Sequence, residues 1–138
     1  IMQTAEMTRP ALMSVKKPVL CHGDLWDGNV LICNEDGKWK FAALIDLDRA
    51  YFGDPAFDLG NPWAINDEFL EGYGVSRDFL EEREMKLRRS ISELVYFLIE
   101  AYVWKSQYNG PDASANASRI VLEKCDAIKA IAEGSESR

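Results

Sequence analysis

Strand-length apolar runs and helix-period apolar runs occupy different parts of this 138-residue chain, and that segregation constrains the fold more than any other feature. Val19-Leu20-Cys21, Val30-Leu31-Ile32-Cys33 and Phe41-Ala42-Ala43-Leu44-Ile45 are short apolar blocks separated by polar, glycine-containing stretches, the pattern of strands and loops. Asn34-Glu35-Asp36-Gly37 is a turn cluster and predicts a hairpin in which Cys33 pairs with Lys40 and Val30 with Ala43. Short helical turns are predicted over residues 56–60 and 67–73. A long helix follows over residues 78–109, opened by an Asp78/Glu81 capping box, with Leu80, Leu87, Ile91, Leu94, Val95, Leu98 and Tyr102 on one face. Asn109-Gly110-Pro111 ends it, with glycine as the left-handed cap. A last helix over about residues 113–132 turns Ile120, Val121, Cys125, Ile128 and Ile131 or Ala132 inward, and residues 134–138 form a frayed tail. Residues 1–14 read as the end of a helix interrupted at Pro10, because the residue before proline is pushed out of the α region. Strands first and helices afterwards give an α+β, mainly helical fold.

Charge and cysteine usage exclude several function classes. Sixteen Lys and Arg against 23 Asp and Glu leave a net charge of −7, without a basic block to neutralise phosphates, so neither nucleic acid nor an anionic membrane surface is an expected partner. The longest apolar stretch, from Leu94 to Val103, is interrupted by Glu100 and falls below the ~18–20 residues that span a bilayer. Cys21, Cys33 and Cys125 are widely spaced and odd in number, which points to neither a disulfide framework nor a zinc site and suits a reducing cytoplasm. The chain opens on Ile1 without a signal peptide or an initiator methionine, and it reads as a piece of a longer chain.

The polar loop His22-Gly23-Asp24-Leu25-Trp26-Asp27-Gly28-Asn29 lies between two strands expected to be buried, and it sets a carboxylate and a carboxamide five residues apart. With the hairpin register above, Asn29 falls opposite Leu44, and Asp46 lies about 7–8 Å away on a diagonal. Oxygens of Asn29 and Asp46 could then share a hard cation such as Mg²⁺, which takes few protein oxygens and completes its shell with water and phosphate. Asp24 is left to receive a proton. A carboxylate base with an Asn and a second Asp on the metal is the working set of phosphoryl transfer.

His22-x-Asp24-x-x-x-x-Asn29, followed by Ile45-Asp46, has the spacing of the catalytic loop and metal-binding Asp of the kinase-like fold. Together with Leu44-Ile45-Asp46-Leu47-Asp48 and Gly53-Asp54-Pro55-Ala56-Phe57-Asp58-Leu59, the loop resembles the aminoglycoside phosphotransferase family, which includes the fructosamine and choline kinases. Its His-Gly-Asp-Leu-Trp-x-Gly-Asn wording is especially similar to the fructosamine kinases. The resemblance covers residues 19–60 with specific motifs and the helical remainder only loosely. It implies a protein-kinase-like C-lobe using Mg²⁺ with ATP, in which Asp24 is the catalytic base, Asn29 and Asp46 are metal ligands, and Asp58 braces the catalytic loop from a helix. His22 would support the site structurally. The family's nucleotide-covering loop and phosphate-pairing Lys belong to an N-terminal lobe, which is absent from this chain and expected in its parent: only 21 residues precede His22, and Lys16 and Lys17 adjoin Pro18 outside any strand.

Trp26 and Asp27 occupy the variable part of the loop, where acceptor contacts belong, although Trp26 serves equally as a core plug. Asp48 is a possible second metal contact. Asp54 and Pro55 read as a turn. The expectation is one domain, with a leading segment at residues 1–18, catalytic and metal-binding loops at 19–60 and a helical subdomain at 61–138. Its activity is transfer of a phosphoryl group to a hydroxyl of a sugar or fructosamine, an aminoglycoside or an amino alcohol. The alternatives are a non-catalytic kinase-like binding remnant and a metal-dependent glycosyltransferase using Asp46 and Asp48.

Overall fold

The computed structural model describes residues 1–134, in the order α1 (Met2–Met13), β1 (Val19–Cys21), β2 (Val30–Glu35), β3 (Lys38–Leu44), β4 (Tyr51–Gly53), α2 (Asp67–Tyr73), α3 (Arg77–Glu81), α4 (Arg83–Ser106) and α5 (Pro111–Glu133). Three 3-10 turns, Asp27–Asn29, Leu47–Arg49 and Pro55–Gly60, punctuate the loops. Residues 135–138, the expected tail, lie outside the described residues.

α4 and α5 form an antiparallel helical hairpin. Near its closed end the Ser114 hydroxyl donates to the Ala101 carbonyl at 2.8 Å, and at its open end the Arg83 guanidinium donates to the carbonyls of Ile131 and Ala132. Leu87, Ile91 and Leu94 of α4 meet Val121, Cys125, Ile128 and Ile131 of α5, and Ala11 and Leu12 of α1 pack on the same cluster. A second cluster joins Ala56 and Leu59 to Leu70, Leu80 and Met85, and ties the loop region to the helices. Gly60 marks the contact: a Cβ there would sit 2.5 Å from Ser92 Cβ and 2.8 Å from the Arg89 carbonyl oxygen.

Several sequence expectations change here for identifiable reasons. α1 runs through Pro10. Proline removes one backbone donor, and packing against α4 and α5 outweighs that loss. The helix expected over 78–109 is broken at Glu82, whose ψ of 130° is not helical. Its N-cap is Ser76 rather than Asp78, and Arg89 collects the Leu80 carbonyl at 3.3 Å and the Leu59 carbonyl at 2.8 Å, so the break leaves those acceptors satisfied. Of the expected inner face, Tyr102 is exposed and Val95 lines a cavity beside the loop region. Asn109, with φ of 49°, takes the left-handed position expected of Gly110.

The strands form two separate antiparallel pairs. β1 pairs with β4, a strand the sequence reading left within a loop, with Cys21 opposite Tyr51. β2 and β3 turn over Asp36 and Gly37, both at positive φ, as a two-residue hairpin loop requires. Cys33 pairs with Lys40 as expected, but Ala42 is bulged out, so Val30 pairs with Leu44 rather than Ala43. The hairpin is also not buried. Trp39 is 69% and Phe41 65% exposed, because among the described residues no second layer covers this pair of strands.

Candidate active site

The loop from His22 to Asn29 is held from three directions. From below, the turn Pro55–Gly60 presents Asp58. That turn starts at Asp54, whose carboxylate caps the Ala56 N–H at 2.9 Å, with Pro55 pre-set for the first helical position. Asp58 is buried, and its two oxygens accept the backbone N–H groups of His22 and Gly23, each at 2.9 Å. A buried carboxylate with two amide donors is satisfied by charge-assisted hydrogen bonds.

From the side, Gly23 turns at φ of 78°, and a Cβ there would lie 2.3 Å from the Arg49 carbonyl oxygen. Both the dihedral and the contact require glycine. Arg49 closes the same contact from its other end, with Nη1 3.4 Å from Asp24 Oδ1.

From above, His22 joins the loop to the end of β3. Its Nδ1 accepts the Asp24 N–H at 3.3 Å, and its Nε2 lies 3.0 Å from the Ile45 carbonyl. With Nδ1 accepting and Nε2–H donating, both ring nitrogens are taken up in holding the loop.

The bulge at Ala42 sets where Asp46 stands. The Ile45 N–H donates to the Asn29 carbonyl at 3.0 Å, so Asn29 faces Ile45, not Leu44, and Asp46 is the next residue along. Asn29 is buried, and its Nδ2 donates to the Asp24 carbonyl at 2.8 Å, which fixes the amide and leaves Oδ1 without a donor among the described residues. Asp46 is exposed and left-handed, at φ 63° and ψ 58°. A non-glycine residue in that region carries strain, and such positions cluster at functional sites. Asp24, Asn29 and Asp46 are therefore drawn to one end of the hairpin.

The remaining predicted residues sit farther out. Asp27 and Trp26 are exposed, and the Trp26 ring folds over Gly28, where a Cβ would meet the ring at 2.4 Å. Asp48 lies in the turn Leu47–Arg49, so the extended alternation that would aim it alongside Asp46 is absent. Among the described residues no group of three or more His, Cys, Asp or Glu side chains could hold a metal ion.

Sequence reasoning missed Arg49 and Asn61. Asn61 is buried, donates to the Leu25 carbonyl at 2.6 Å and accepts the Trp63 N–H at 3.0 Å, pinning the middle of the loop. A lone polar residue after the apolar-flanked turn was its one signal. Beside the loop lies a cavity of about 240 Å³ lined by Leu25, Arg49, Tyr51, Phe57, Val95 and Tyr96 among others. Burial first, then the Cys21 side chain facing it, and last the Asp58 and Asp54 carboxylates push the Tyr51 phenol well above its ordinary range.

Residues 3–87, which include every strand and the whole loop system, match the model of the phosphotransferase enzyme family. The chain belongs to that family. Among curated proteins, a phosphotransferase relative described as a probable aminoglycoside 3'-phosphotransferase, from Lactococcus lactis subsp. lactis, is 34% identical over 83 residues, covering 53% of this chain and 29% of that protein. The chain thus spans less than a third of the relative's length. No solved structure matches. Membership of the phosphotransferase family implies a kinase-like fold, with which the hairpin-and-helix architecture is compatible. No helix among the described residues is long and apolar enough to cross a membrane.

Proposed function

We propose that these residues form the C-terminal lobe of a small-molecule kinase that transfers the γ-phosphoryl group of ATP to an acceptor hydroxyl. The observation that carries this reading is the gathering of Asp24, Asn29 and Asp46 at one end of the hairpin. In it, Asp24 accepts the hydroxyl proton as the acceptor oxygen bonds to phosphorus and the bond from phosphorus to ADP breaks. Arg49 engages Asp24 Oδ1 and leaves Oδ2 for that proton.

Asn29 Oδ1 and the Asp46 carboxylate are the protein oxygens that would hold Mg²⁺. One carboxylate and one amide oxygen suit an ion whose other ligands are phosphate and water. When bound, that ion neutralises charge on the transferring phosphoryl group. His22 and Asp58 keep the loop in register, and Trp26 and Asp27 border the acceptor side.

The nucleotide clamp is assigned to an N-terminal lobe outside these residues. The exposed apolar face of the hairpin, with Ile32, Trp39 and Phe41, supports that assignment, since so uncovered an apolar face needs a partner layer. Residues 1–18, 19–60 and 61–138 serve as leading helix, catalytic loops and helical support of one domain in the cytoplasm. The test is transfer of labelled phosphate from ATP to sugars, fructosamines, aminoglycosides and amino alcohols by the longest natural chain containing these residues. Transfer to one class supports the kinase reading. Binding of Mg·ATP without transfer to any acceptor leaves only a kinase-like binding remnant.

A further inference from the structure

Arg88 of α4 meets Asp54 in the interior, where β4 runs into the turn that carries Asp58. Asp54 divides its carboxylate between two tasks: Oδ1 accepts the Ala56 N–H at 2.9 Å and caps the turn, while Oδ2 lies 3.4 Å from Arg88 Nε. Both side chains are buried, with 8% of Asp54 and 13% of Arg88 exposed. Neither Oδ2 nor Nε has a hydrogen-bond partner among the described residues, so each buried charge depends on the other for compensation. The Asp54 backbone carbonyl accepts the Cys21 thiol at 3.4 Å and the Phe57 N–H at 3.0 Å. Asp54 therefore touches both the strand that leads into His22 and the turn that presents Asp58.

Arg88 is itself placed from the opposite side. Its Nη1 lies 3.4 Å from Glu84 Oε1, one helical turn earlier in α4, and that oxygen accepts the Ser14 hydroxyl at the end of α1. Nη2 rests on the Met85 sulfur at 4.0 Å. One guanidinium thus spans two carboxylates, one tied to α1 and the other at the head of the turn. A planar fork can face two acceptors at once, which an ammonium on a flexible stem does less well.

We infer that Arg88 is a positioning residue for the loop that carries Asp24, acting through Asp54 and Asp58. The route is short. Asp54 opens the turn, and the Asp58 oxygens within it hold the His22 and Gly23 amides at 2.9 Å each. Without Arg88 the Asp54 charge is buried and unpaired, which favours an outward swing or entry of water. Either change loosens the cap at Ala56, and with it the grip of Asp58 on the two residues before Asp24. The consequence for turnover rests on the kinase reading of Asp24: a base must stand within hydrogen-bond reach of the acceptor hydroxyl, and small misplacements lower the rate.

Hydrogen exchange read by mass spectrometry on the longest natural chain tests the positioning without nucleotide. Arg88→Met should speed exchange in peptides covering residues 21–25 about tenfold, while peptides around Ile128 in α5 keep their protection. Asp54→Asn should do the same. Asparagine caps a helical turn as well as aspartate, so this variant keeps the fold where Arg88→Met loses it. Arg88→Lys, which retains the charge, should fall between Arg88→Met and the unsubstituted chain. In phosphate transfer, Arg88→Met and Asp54→Asn should each lower kcat about tenfold with KM for ATP within about twofold, and the double variant should lose no more than either alone. Arg119→Met, whose ion pair with Glu123 lies on the exposed side of α5, should change neither reading. Unchanged exchange at residues 21–25, an equal rise around Ile128, additive losses in the double variant, or a raised KM with kcat intact would overturn the inference. Faster local exchange in a chain that phosphorylates no acceptor would uphold the positioning role and overturn the kinase reading.

Discussion

Asp58 illustrates how a single carboxylate can organise a loop. Its two oxygens serve the His22 and Gly23 amides in a buried setting. Asp58→Ala leaves both donors unsatisfied and should cost about 2–4 kcal/mol, read as a lower midpoint in urea unfolding. A neutral effect would mean that water replaces the carboxylate. Gly23→Ala should destabilise comparably, because the added methyl meets the Arg49 carbonyl at 2.3 Å in a left-handed conformation. The bracing of the loop by Asp58 was legible in the sequence because motif spacing sets it at a fixed distance from the His22-Gly23 turn. Arg49 and Asn61 were not, since their bonds to Asp24 and to the Leu25 carbonyl depend on tertiary approach that no local spacing encodes.

Elements with strong local signals came through most clearly. The Asp36-Gly37 turn, the extent of α2 and the buried stripe of α5 all follow from turn chemistry and helical period. β4 was missed because three residues ending at Gly53, just before Asp54-Pro55, carry no alternation, and only pairing with β1 makes them a strand. Pro10 and Glu82 show the opposite failure. Packing carries α1 through a proline, and Arg89 makes a helix break affordable where the periodicity ran on. The bulge at Ala42 was invisible for a related reason, since alternation does not announce one extra residue. It yields a sharp expectation. Deleting Ala42 restores regular pairing and leaves Leu44 opposite Val30, so Asp46 keeps its register position beside Asn29. Mg²⁺-dependent nucleotide binding by the longest natural chain should then persist, as should the far-ultraviolet circular dichroism of the helices. A sharp fall in binding would mean that the local kink of the bulge, and not the register, places Asp46.

For the molecule as a whole, the helical hairpin is the scaffold that carries the loop region. Tyr96 connects the two. Its folded pKa of about 12 stands above the ordinary tyrosine value of 10, so the stability it contributes is complete below pH ~10 and is lost as pH rises toward 12. Tyr96→Phe should therefore soften the alkaline decline of the melting temperature between pH 10 and 12, and an unaltered decline would argue that Tyr96 ionises freely. The central claim is that Asp24 handles the proton while Asp46 handles the metal, and paired kinetics test it most directly. Mg·ATP affinity and turnover should be measured for Asp24→Asn and Asp46→Asn in the longest natural chain. Asp24→Asn should retain nucleotide affinity and lose about 10²–10⁴-fold in turnover, whereas Asp46→Asn should lose Mg²⁺-dependent affinity itself. Turnover undiminished by Asp24→Asn, or nucleotide affinity indifferent to Asp46→Asn, would contradict the account.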